Sequence, residues 1–286
     1  MTSMLEAIHR RQSVRTYLEQ DIEPHKLEKI EEIISSPEFK RGPFGNEVNF
    51  VLFDMADLSE KEAKKLGTYG IIKGARYYIS GSMQEAEGIE EDFGYCMEKV
   101  ILELTRMGLG TCWLAGTFRR KNFAARLGLQ EGEILPAITP FGYPRDDRSI
   151  IEKTMRFFAK SRERKPWGEM FFVGDTSTAL DEKNAGYYAP VLEAVRVGPS
   201  ASNKQPWVII KESNEEKFHL YLRRTPGYIV RLGKIKLQNL DMGIAMCHFE
   251  LAAAEKELPG QWLLGDPPPD KDTGDMEYIA TWAVKS

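Results

Sequence analysis

One stretch of this chain is written twice at a fixed spacing. Asp92, Gly94, Met97, Leu102, Leu109, Trp113, Leu114 and Gly116 recur as Asp241, Gly243, Met246, Leu251, Leu258, Trp262, Leu263 and Gly265, always 149 positions on (241 minus 92). These are eight identities in 25 ungapped positions, ending on a shared Trp-Leu-x-Gly. One helix and its following strand do not match in this way by chance, so the 286 residues are expected to fold as a duplicated unit. A site built from two copies can persist in one place and decay in the other. The differences between the copies are therefore the informative part.

Bulk properties narrow the partners. With 42% hydrophobic and 29% charged residues the chain is an ordinary globular one, long enough for one large or two modest cores. A net charge of −4 argues against a broad nucleic-acid footprint, so any anion site must be local. Cys96, Cys112 and Cys247 form no Cys-x-x-Cys pair, and His9, His25, His219 and His248 are dispersed, so neither a disulfide framework nor a metal site is expected. The reduced cysteines, and the lack of a signal-like start or an 18-residue apolar run, give a cytoplasmic expectation.

The pattern mixes helices and strands without strict alternation, which predicts an α+β layered fold. Pro24 opens an amphipathic helix through Leu27, Ile30, Ile33 and Ile34 that stops before Pro37. Phe93, Met97, Val100, Ile101 and Leu104 mark a helix from about Asp92 to Met107, closed by Gly108 and Gly110. Asn49 to Asp54, Tyr77 to Ser80, Cys112 to Ala115 and Leu135 to Phe141 read as strands. The second half repeats the order: a helix near Tyr188 to Arg196, strands Trp207 to Lys211 and Phe218 to Leu222, a helix from about Asn239 to Glu257 and a strand Tyr278 to Val284. Residues 162–185 read as a connector, and we place the domain boundary at 1–170 and 171–286.

Two fragments complement each other. Arg10-Arg11-Gln12-Ser13-Val14-Arg15 puts three guanidiniums and a hydroxyl within six residues, which either holds a phosphate dianion or is a solvated basic helix end. Nothing comparable precedes the second copy. In the second half, Gly198-Pro199-Ser200-Ala201-Ser202-Asn203-Lys204-Gln205-Pro206-Trp207 is a loop of small residues with amide side chains. It either lets backbone approach a planar ligand or merely joins a helix to a strand. The first half keeps a worn version, Gly42-Pro43-Phe44-Gly45-Asn46.

Together with Gly108-Leu109-Gly110-Thr111-Cys112-Trp113-Leu114-x-Gly116 and Phe141-Gly142-Tyr143-Pro144, these motifs resemble the FMN-dependent nitroreductase superfamily over nearly the whole chain. The nearest likeness is to the branch in which two nitroreductase-like halves are fused. The resemblance implies a layered α/β/α fold with mostly antiparallel sheets and a tandem duplication forming an intramolecular pseudo-dimer, so that a monomer suffices. It implies one FMN per chain. Arg11, Gln12 and Ser13 would stand at the phosphate and ribityl end, and Arg15 toward the pyrimidine edge, with Lys73 a weaker candidate for that edge. The backbone of Leu114, Ala115 and Gly116 would face flavin N5, although Ala115 stands where many members carry an acid. Arg162 and Arg164 would reach the phosphate, and Pro199, Ser200, Ala201, Asn203 and Gln205 would close the site from the other half. The implied activity is NAD(P)H oxidation coupled to reduction of a small molecule, a quinone, nitroaromatic or other conjugated acceptor, with no catalytic side chain beyond the flavin's surroundings. The alternative is a flavin-binding protein with little turnover, a sensor or FMN reservoir. Gly108-Leu109-Gly110 does not make a dinucleotide fingerprint, because it ends a helix instead of opening one.

Overall fold

The computed structural model describes residues 2–59, 66–145, 163–228, 231–265, 267–268 and 273–284. It divides into two compact units, Met1–Arg148 and Ser149–Ser286. In the first, β1 (Asn49–Asp54), β2 (Tyr77–Gln84), β3 (Gly110–Thr111), β4 (Glu133–Ile134) and β5 (Ile138–Gly142) form one antiparallel sheet in the order β1-β2-β5-β3, with β4 on β2. In the second, β6 (Phe171–Val173), β7 (Trp207–Lys211), β8 (Lys217–Leu222), β11 (Gln261–Leu263) and β12 (Glu277–Ala283) run in the order β11-β12-β8-β7-β6. A short hairpin, β9 (Arg231–Leu232) with β10 (Ile235–Lys236), stands apart. Leaving out β4 and β6, both sheets place their strands in the same spatial order, first, second, fourth, third. In both, the long helix lies in sequence between the second and third of these strands. Those helices are Ile89–Arg106 and Leu237–Glu255, whose last residues are again 149 apart (255 minus 106).

The pattern that predicts these helices also buries them. Phe93, Met97, Val100, Ile101 and Leu104 are all buried, and Gly108 at φ 81° takes the left-handed conformation that ends the first helix. In the second unit the helix Ala189–Arg196 and the helix Leu237–Glu255 pack together, and Leu237–Glu255 also contacts β7 and β8. There Tyr188, Phe218, Phe249, Trp262 and Trp282 form an aromatic cluster with ring centroids 4.4 to 6.1 Å apart. His248 is fully buried with Nδ1 2.8 Å from the Ala194 carbonyl, a core residue as its position in an apolar helix predicts.

Three local readings are corrected. The expected strand Cys112 to Ala115 shrinks to Gly110–Thr111 plus a single antiparallel bridge between Leu114 and Ile138. A helix, Arg120–Leu127, lies in the interval between the two predicted strands. Part of the supposed connector is β6, which pairs in parallel with β7. Among the described residues no helix is long and apolar enough to cross a membrane.

Candidate functional site

The first unit gathers the cationic element and the end of β3. After the helix Met4–Arg10, capped by Ser3 Oγ accepting the Glu6 N–H at 3.1 Å, the chain runs extended past the sheet. Val14 N–H donates to the Thr111 carbonyl at 2.7 Å, Lys73 N–H to the Arg15 carbonyl at 2.9 Å and Tyr17 N–H to the Lys73 carbonyl at 2.9 Å. Gly110 permits this approach, since a Cβ there would stand 2.6 Å from Val14 Cγ2. Arg11, Gln12, Ser13, Arg15 and Lys73 thus share one stretch of the molecule with Leu114, Ala115 and Gly116. Gln12 and Ser13 are exposed.

Arg11 is different. Its side chain is 5% exposed, and its Nε lies 3.7 Å from Oε1 of the fully buried Glu98, too long for a hydrogen bond. The other Glu98 oxygen accepts the Trp113 indole N–H at 2.7 Å. A buried guanidinium Nε that lacks a hydrogen-bond partner is costly unless an anion supplies one. Nearby, the backbone N–H groups of Ala115, Gly116 and Thr117 have no acceptor among the described residues.

In the second unit the Gly198 to Trp207 loop is wound tightly. Ser202, Asn203 and Gln205 all have positive φ, at 50°, 54° and 47°, a conformation side-chain-bearing residues avoid. Side-chain hydrogen bonds hold it there. Ser200 Oγ accepts the Gln205 N–H at 2.8 Å, and Asp241 Oδ1 accepts the Ala201 N–H at 2.8 Å. Arg164 donates to Asn203 Oδ1 at 3.2 Å and to the Val197 carbonyl at 2.9 Å. Lys165 N–H donates to Gln205 Oε1 at 2.9 Å and its ammonium to the Gln205 carbonyl at 3.0 Å; burial, then the Arg223 charge, lowers its pKa. Asn203 Nδ2 in turn donates to the Glu163 carbonyl at 2.9 Å. Residues 163–165 therefore strap the loop, and the expected phosphate partner Arg164 spends these donors inside its own unit. Arg162 lies outside the described residues. Pro199, Ser200 and Ala201 are half-buried, and Gln205 is buried.

Sequence reasoning passed over the two aspartates that anchor the loops. Asp92 accepts the Phe44 N–H at 2.8 Å through Oδ1, and the Asn46 N–H and side-chain amide at 2.8 and 3.0 Å through Oδ2. Burial pushes its pKa up to about 6 against those hydrogen bonds. Asp241 has the same place in the repeat, but among the described residues it has only the Ala201 contact, and its buried Oδ2 has no partner there. Burial pushes it up to about 8. The signal was present, because an identity retained at a polar residue inside an apolar helix needs a polar partner.

A family model described as "Putative TM nitroreductase" matches residues 3–253. The chain belongs to this nitroreductase family. Among solved structures, the chain is similar to a putative nitroreductase from Thermotoga maritima, with 19% identity, coverage of 99% of this chain and 94% of that one, and a TM-score of 0.59, a likeness of fold. A putative NADH dehydrogenase/NAD(P)H nitroreductase from Bacteroides thetaiotaomicron matches at 26% identity over 51% of this chain and 88% of that one, with a TM-score of 0.40. An FMN-dependent nitroreductase from Clostridium difficile matches at 19% over 50% and 88%, with a TM-score of 0.39. No curated protein matches significantly. Membership makes the general role that of an oxidoreductase, on a fold of mixed helices and mainly antiparallel sheets.

Proposed function

We propose that this protein is an FMN-dependent NAD(P)H oxidoreductase that reduces a quinone, nitroaromatic or other conjugated acceptor. The observation that carries the reading is the buried Arg11 guanidinium, unsatisfied at Nε, on the same unit as three successive free amide groups. An anion and an electron-rich ring are what such donors fit. FMN when bound supplies the redox chemistry, taking hydride from a nicotinamide and passing two electrons to the acceptor. The chain's residues supply placement. Arg11, Gln12 and Ser13 hold the phosphate and ribityl end, Arg15 offers positive charge to the pyrimidine edge, and the Ala115 and Gly116 amides meet the ring. The Pro199 to Gln205 loop is rigid enough to present its backbone at a planar surface without further ordering.

Anaerobic titration of the FMN-loaded protein with NADH and NADPH tests this. The bound yellow flavin should bleach and should recover its colour when a quinone is added. A flavin that binds but is not reduced by either nucleotide would instead mark a flavin carrier or sensor. Protein left colourless after incubation with FMN would end the flavin reading.

A further inference from the structure

The three free amides have a device behind them. Arg120, the first residue of the helix Arg120–Leu127, donates from Nε to the Leu135 carbonyl at 2.9 Å and from Nη2 to the Pro136 carbonyl at 3.0 Å and, in a shorter contact, to the Ala115 carbonyl. Its guanidinium carbon lies 4.8 Å from the centre of the Phe118 ring. No carboxylate pairs with it among the described residues, and burial lowers its pKa. A partly buried cation met by carbonyl dipoles and one aromatic ring, with no carboxylate among the described residues, is an expensive way to tie a loop, which a neutral donor would tie as well.

What the charge adds follows from peptide geometry. In a trans peptide the carbonyl and the following N–H point in opposite directions, so fixing the Ala115 carbonyl fixes the direction of the Gly116 N–H. A cation on the carbonyl also polarises the peptide and makes that N–H a stronger donor. Gly116 is exposed, and its N–H has no acceptor among the described residues. The second copy, where Leu264 and Gly265 occupy these places (115 and 116 plus 149), has no arginine between Gly265 and Glu277. The arginine is kept on the side that keeps Arg11 and Ser13.

We infer that Arg120 is a positioning residue that orients and polarises the Ala115–Gly116 peptide, so that the Gly116 amide favours the electron-rich, reduced form of a bound conjugated ring. This rests on the FMN reading for the identity of the ring.

The test compares wild type with Arg120→Met, which keeps the length and apolar contact, and Arg120→Lys, which keeps the charge. The readouts are the reduction potential of bound FMN and the amide resonance of Gly116 in the flavin-free protein. Arg120→Met should lower the preference for reduced over oxidised FMN about tenfold, equivalent to about 30 mV for a two-electron couple. It should also shift the Gly116 amide, and Arg120→Lys should recover part of both. An unchanged potential in a folded, flavin-loaded Arg120→Met protein would overturn the inference. So would an unmoved Gly116 resonance. A wild type that takes up no FMN would remove the flavin reading, and the Gly116 resonance would still decide whether Arg120 positions the peptide.

Discussion

Asp92 and Asp241 show how one residue can be the same letter and a different chemical group. Both start from an ordinary carboxyl value of 3.8, both are buried, and both take a backbone N–H from the loop before their sheet. Asp92 keeps the Asn46 donors, whereas Asn203 turns its amide to Glu163 and Arg164 and leaves Asp241 Oδ2 without a partner. The pKa of Asp241, about 8, is raised above its unfolded value, so between roughly pH 4 and 8 the folded state binds more protons than the unfolded one. Stability from this residue is therefore full at acid pH and lost as pH rises toward 8, opposite to the usual carboxylate. Asp241→Asn should abolish that loss: its melting temperature relative to wild type should climb between pH 5 and pH 9 by at least about 2 °C, the shift that ~1 kcal/mol gives in a chain of this size. A difference independent of pH would mean that Asp241 is ionised throughout. The repeated aspartate was legible in the sequence, but the difference between its two copies was not, because a carboxylate's burial and missing donor are set by contacts 40 residues or more away.

The long helices and the central strands could be read because their apolar residues recur at helical spacing or in runs of strand formers. The helix Arg120–Leu127 escaped because Phe123 is its only buried residue, too little to make a stripe. Strand β6 escaped because three residues between polar stretches become a strand only through their parallel partner β7, a pairing that no local pattern encodes. The same stretch of chain holds the strap, residues 163–165, over the strained Ser202, Asn203 and Gln205. Its basic character predicts a phosphate partner, and in the structure two Arg164 nitrogens also tie the loop, through Asn203 Oδ1 and the Val197 carbonyl. Arg164→Ala should destabilise the second unit by roughly 1 to 3 kcal/mol, the cost of leaving buried acceptors unmatched, and so lower its urea midpoint. An unchanged midpoint would mean the turn holds itself without the strap.

Across the whole molecule the duplication predicted from residues 92–116 extends to the order of strands in both sheets, β1-β2-β5-β3 and β7-β8-β12-β11. The copies have diverged in chemistry more than in shape. The first keeps Arg11, Glu98, Arg120 and the free amides after β3; the second has Cys247 where Glu98 stands (98 plus 149), and the Trp262 indole lacks the acceptor that Trp113 has. The loop anchored by Asp241 retains Ser200, Asn203 and Gln205, and the loop anchored by Asp92 has lost its serines. Such complementary losses favour one flavin per chain. The most direct measurement is FMN binding by calorimetry to wild type, to Arg11→Ala with Ser13→Ala, and to Asn46→Ala. The account predicts one FMN per chain, at least about a tenfold loss of affinity in the double variant, since charge-assisted hydrogen bonds contribute roughly 1.5 to 3 kcal/mol, and no loss in Asn46→Ala. Two flavins per chain, or an Asn46→Ala protein weakened as much as the double variant, would contradict it.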